Sequence, residues 1–109
     1  MDLSPGKLAH ELEQRGLDWA DKDAAFKALD DVTKTMLSEC IADLNEKPKS
    51  MSEAEVKARR SPKYRDHLKA LGDSRREANR SKVNYDTYRV YIEMLRSAEA
   101  TNRALTVMK

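Results

Sequence analysis

Cysteine is almost absent from this chain. Cys40 is the only one among 109 residues, so no intrachain disulfide can form, and no Cys/His cluster has metal-ligand spacing. It sits in an apolar stripe, as a buried thiol would. Gly and Pro occur three times each, Phe and Trp once each. That composition suits long helices and coiled coils better than a domain with a thick core. No apolar run approaches the about 18 residues that a membrane span requires. Nothing resembles a signal peptide, so a soluble, cytoplasmic protein with no membrane partner is expected. There is also no Gly-rich phosphate loop and no nucleophile–base signature. Asp30 and Asp31 are adjacent and point about 100° apart on a helix, so they do not readily share a metal. No catalytic residue, metal site or cofactor is assigned, and the protein reads as a non-enzyme. His10 and His67 are isolated and are expected to face solvent.

What the chain does have is charge. Charged residues make up 37% and hydrophobic residues 39%. A chain of this size, poor in large apolar side chains, is expected to bury much of its apolar surface against a partner or a copy of itself. The net charge of +2 is unevenly placed. Residues 1–55 hold 7 basic and 13 acidic side chains, and residues 56–109 hold 14 and 6. Such asymmetry suits a half that faces nucleic acid, or an acidic half that docks on a basic one.

The chain reads as a single helical domain, residues 1–109. A short helix over residues 1–16 has Ser4 as N-cap, Pro5 at its first position and Gly16 as its stop. A second helix spans 18–44, with Ala25, Leu29, Val32, Met36, Cys40 and Leu44 in its apolar stripe. "NEKPKSM", residues 45–51, is a linker. Ser52 and Glu55 match a capping box that opens a short helix over 52–60. Ser61 and Pro62 then start a long helix over 62–105, with Gly72 as a weak point and a possible kink. About 44 residues of helix span about 66 Å. That length belongs to a helical hairpin or coiled coil. The expected packing sets Met36, Cys40 and Leu44 near Tyr64, Leu68 and Leu71.

Within the long helix, Arg75, Lys82, Arg89, Arg96 and Arg103 recur every seven residues, a line that turns only slowly around a straight helix. Tyr85, Tyr88, Ile92 and Leu95 lie on its flank, and Ala78, Leu71, Leu68 and Tyr64 continue that seam. Two readings stay open. Cations could neutralise phosphates while tyrosines stack on unpaired bases. Alternatively, the cations could flank an apolar helix-pairing or oligomer seam. Asp86 and Glu93 lie within intrahelical reach of the cations from Lys82 to Arg96, which favours the second reading there. Upstream the balance differs. Residues 57–82 hold ten Lys/Arg against three acids, spread around the helix. The candidate nucleic-acid-binding residues are Arg59, Arg60, Lys63, Arg65, Lys69, Arg75, Arg76, Arg80 and Lys82.

The layout over residues 18–105 resembles that of small bacteriophage helical proteins, particularly the UvsY-type recombination mediators. The resemblance is carried by an early helix with "DWADKDAAFKALDDVTKTML", a linker followed by "MSEAE", and a long terminal helix with a mid-helix "KVNY" and a late "LRS". It implies a homo-oligomeric accessory protein of the host cytoplasm. Such a protein would bind single-stranded DNA, contact a recombinase or single-strand-binding protein, and catalyse nothing. The expected architecture is all-α, an elongated helical hairpin or coiled coil with one long C-terminal helix. The competing expectation is a coiled-coil structural or protein-interaction module that does not bind nucleic acid.

Overall fold

The computed structural model describes residues 4–45 and 48–108, apart from the Met108 side chain. The described chain is all helix and turn, with no strand. Its helices are α1 (Pro5–Asp31), α2 (Thr33–Ala42), α3 (Met51–Arg59) and α4 (Pro62–Met108). The 47 residues of α4 correspond to about 70 Å of helix. Contacts divide the chain into two units. One is Lys22–Ala78, and the other joins the chain up to Asp21 with the chain from Asn79 onward. No described helix is long and apolar enough to cross a membrane.

In the Lys22–Ala78 unit, side chains at 22, 26, 29, 33, 36 and 40 are half-buried or buried. So are those at 64, 67, 71, 74 and 78 of α4. Both sets alternate steps of three and four, the pattern of two helices packed along a narrow seam. The pairing is antiparallel: Lys22 reaches Glu77, Phe26 lies under Arg75, Thr33 meets His67, and Glu39 meets Lys63. The best-buried cluster joins Cys40, Ala58 and Tyr64, with Met36, Leu37 and Ile41 packed on it. Ala58 is completely buried, so α3 lies close on α2 with no room for a larger side chain.

The unit containing both chain ends pairs the first half of α1 with the second half of α4, again antiparallel. Trp19 stacks on Tyr85 with centroids 5.6 Å apart, and the Arg15 guanidinium sits 4.3 Å over the Tyr88 ring. Ser81, itself buried, donates to Asp18 Oδ2 at 2.9 Å. Arg15 also bonds Glu11 and Asn84. Leu8 and Leu12 line a groove of about 350 Å³ with Ile92, Leu95 and Ala98.

Several sequence expectations are corrected here. Gly16 does not stop a helix, and α1 runs through it to Asp31. Its missing side chain serves packing: a Cβ there would sit 3.3 Å from the Tyr85 ring. The break falls instead at Val32, between α1 and α2. Thr33 Oγ1 turns back to Leu29 O at 3.3 Å, a bond that competes with regular helix and bends it. Ala25 and Val32 are exposed, while Phe26 and Thr33 take the inner face, because the seam follows Trp19 and Phe26 rather than the alanines. The short helix α3 is capped two residues earlier than the Ser52–Glu55 pattern suggests. Ser50 Oγ accepts from Glu53 N, and Glu53 Oε2 accepts from Lys49 N. Ser61 caps α4 as anticipated, its Oγ accepting from Tyr64 N. The helix then continues to Met108, three residues beyond the expected end. Glu46 and Lys47 of the expected linker lie outside the described residues.

His67 is the largest single reversal. It is buried rather than solvent-facing, and its Nε2 lies 2.9 Å from Thr33 Oγ1. Leu68, placed in the seam by its hydrophobicity, is 43% exposed. The three-four alternation selects 67 over 68, and position outranks side-chain type.

Candidate nucleic-acid interface

The α3–α4 junction is built by one side chain. Ser61 Oγ donates to Ala58 O at 2.6 Å and accepts from Tyr64 N, closing the end of one helix and opening the next. Backbone bonds from Arg60 N to Lys57 O and from Ser61 N to Ala58 O tighten the same turn. Arg59 and Arg60 at the end of α3 are thereby set beside Lys63 and Arg65 in the first turns of α4. The amino end of a helix carries partial positive charge. Arg59, Arg60 and Arg65 add exposed positive charge beside it.

The nine sequence-selected cations do not act alike. Lys63 is engaged, with Nζ 3.1 Å from Glu39 and 3.4 Å from Asp43. The hydrogen bond to Glu39 pushes the Lys63 pKa above its ordinary value. Arg76 pairs with Asp73 at 3.4 Å. The Arg75 guanidinium sits over Phe26, 5.1 Å from its ring centroid. Arg59, Arg60, Arg65 and Lys69 are exposed and have no ion-pair partner among the described residues. Arg65 and Lys69 are four apart and share one side of α4. In the other unit, Arg80 is exposed and Lys82 lies 5.9 Å over the Trp19 ring.

Three of the tyrosines have neighbours within the chain. Tyr64 is 6% exposed inside the Cys40–Ala58 cluster. Tyr85 gives one face to Trp19, and Tyr88 gives one to Arg15. The seam residues Tyr85, Tyr88, Ile92 and Leu95 all lie on the α4 face turned toward α1. Helix pairing within one chain therefore uses them.

Sequence reading missed a second row on α4. Val83, Val90 and Met94 are 63%, 45% and 66% exposed. They lie opposite the seam, and the signal for them was an absence of charge at positions spaced seven and four apart. No group of three or more His, Cys, Asp or Glu among the described residues is placed to hold a metal ion. No known protein family matches the chain, and neither a curated protein nor a solved structure is detectably similar to it.

Proposed function

We propose that this chain is a non-enzymatic helical accessory protein that grips the phosphate backbone of single-stranded DNA. One observation carries the reading. Arg59, Arg60, Arg65 and Lys69 are exposed cations with no acidic partner among the described residues, gathered around the positive end of α4. With Tyr64 and Tyr85 occupied, binding rests on phosphate neutralisation and is indifferent to sequence. A part in recombination, with a recombinase or single-strand-binding protein as partner, belongs to the same proposal and rests on the resemblance to the UvsY-type mediators alone.

Fluorescence anisotropy with a labelled oligonucleotide, titrated against salt, tests it. Four phosphate contacts give a log–log slope of roughly −3, at about −0.7 per phosphate on single strands. Reversing charge at Arg65 and Lys69 flattens that slope and weakens binding to all sequences alike. A binding constant insensitive to salt overturns the proposal. The second reading is an interaction module that never touches nucleic acid, and the exposed Val83, Val90 and Met94 favour it. Purified protein that carries no nucleic-acid absorbance and fails to bind the oligonucleotide at low salt supports that alternative.

A further inference from the structure

Gly72 is the one glycine in α4. A glycine inside a helix destabilises it relative to alanine. Gly16 has a packing reason for its missing side chain, and Gly72 has none. It is exposed, and nothing lies within 4 Å of the place a Cβ would take. Its neighbours on the helix surface are the residues three and four positions away, Leu68, Lys69, Arg75 and Arg76. All four are exposed, and three are cations. At about 100° per residue, these four and Arg65 point within about 60° of Gly72, while Asp66, Asp73 and Glu77 point about 100–140° away from it. Bare backbone is thus ringed by positive charge on a side of the helix that holds no acid. We propose that single-stranded DNA crosses α4 at Gly72, its phosphates held by Lys69, Arg75 and Arg76 and its sugars resting on Leu68.

The crossing point rests on the proposed grip on single-stranded DNA and carries that grip along α4 from Arg65 and Lys69. Two cations of the ring have contacts of their own, and neither contact competes strongly with a phosphate. Arg76 meets Asp73 at 3.4 Å, with both side chains more than half exposed, so water screens the pair. Phe26 beside Arg75 carries no charge, so Arg75 keeps its own. Lys69 has no ion-pair partner among the described residues. A side chain at position 72 would stand in the middle of the ring and hold a polyanion off all three cations. Without one, the sugar–phosphate chain can come down to the helix backbone, a close approach that glycine permits. Leu68 is 43% exposed and gives the strand an apolar contact there.

Gly72→Leu in the full chain tests this, with Ala70→Leu as control. Ala70 is also exposed, but it points about 160° away from Gly72, outside the ring. Leucine suits an exposed helix position, so both variants are expected to keep the helical circular dichroism of the wild type. Binding to a labelled oligothymidylate is followed by fluorescence anisotropy over a range of salt. Loss of one or two phosphate contacts lowers the binding constant of Gly72→Leu about five- to twenty-five-fold at about 0.1 M salt, and flattens its log–log salt slope by about 0.7–1.4. Ala70→Leu is expected to bind as the wild type does. Gly72→Ala, the smallest change, is expected to raise the unfolding midpoint and still weaken binding, so stability and affinity move in opposite directions. Salt-dependent binding by the wild type with Gly72→Leu unchanged overturns the crossing at Gly72 and leaves the DNA reading standing. Equal weakening by Gly72→Leu and Ala70→Leu, or weakening with an unaltered slope, also overturns the crossing. A wild type that does not bind the oligonucleotide removes both.

Discussion

Gly16 and Gly72 are both helix-interior glycines, and their surroundings predict different responses to one methyl group. Replacing glycine by alanine inside a helix gains about 0.8–1.0 kcal/mol when nothing obstructs the new Cβ. At Gly72 nothing lies within 4 Å of that position. Gly72→Ala is therefore expected to stabilise by about 1 kcal/mol, or roughly 4–8 °C in unfolding midpoint for a chain of this size. At Gly16 the same Cβ meets Tyr85 Cε2 at 3.3 Å and Cδ2 at 3.5 Å. The ring must retreat by a few tenths of an ångström, and it is held by its stack on Trp19. Gly16→Ala thus gains less than Gly72→Ala, and Gly16→Leu loses about 1–3 kcal/mol through overpacking. Urea denaturation followed by circular dichroism measures all three. Equal gains from the two alanine variants would refute the close approach of Gly16 to Tyr85. A loss from Gly72→Ala would refute an unbroken α4 at that residue.

Other expectations follow from the same contacts. His67→Ala removes the hydrogen-bond partner of Thr33 and leaves a gap at a buried position, so it should cost about 1–3 kcal/mol, while Leu68→Ala, at an exposed site, should change the denaturation midpoint little. Ala58→Leu should destabilise by about 1–3 kcal/mol, because α3 has no space between Ala58 and the Cys40–Tyr64 cluster. Glu53 has its pKa lowered first by the backbone N–H of Lys49 and then by the Lys57 side chain. Its contribution is present above the ordinary glutamate value and is lost as pH falls through the lowered one. The protection of the α3 amides, exchange corrected for its intrinsic pH dependence, should fall across that acidic range, and Glu53→Gln should reduce that fall.

Charge and periodicity made much of the architecture legible. Scarce Gly and Pro, with Ser61 and Pro62 at a start, are local properties, and they specify helices whatever those helices pack against. The sequence also exposes the split in α4 between unbalanced cations before Lys82 and alternating charge after it. It misled where a residue's type and its position disagreed. Gly16 carries the composition of a stop, yet it is retained for contact with Tyr85, a partner distant in the chain. His67 looks polar and solitary, yet it finds Thr33, and that pair exists only once two helices are side by side.

The candidate interface divides the same way. An excess of cations over residues 57–82 is a matter of counting, and the sequence alone determines it. Which of them are free is decided in three dimensions, because Glu39 and Asp43 engage Lys63 and Phe26 takes Arg75 only after the chain folds back. Tyr85 and Tyr88 followed the same rule. Their spacing told which helix face they share, and packing decided that this face is turned toward α1. Periodicity is written along one helix, so the sequence determined the helices and their faces. Partnership needs two segments brought together from far apart in the chain, so only the tertiary structure decided which face is covered and which charges remain for a ligand.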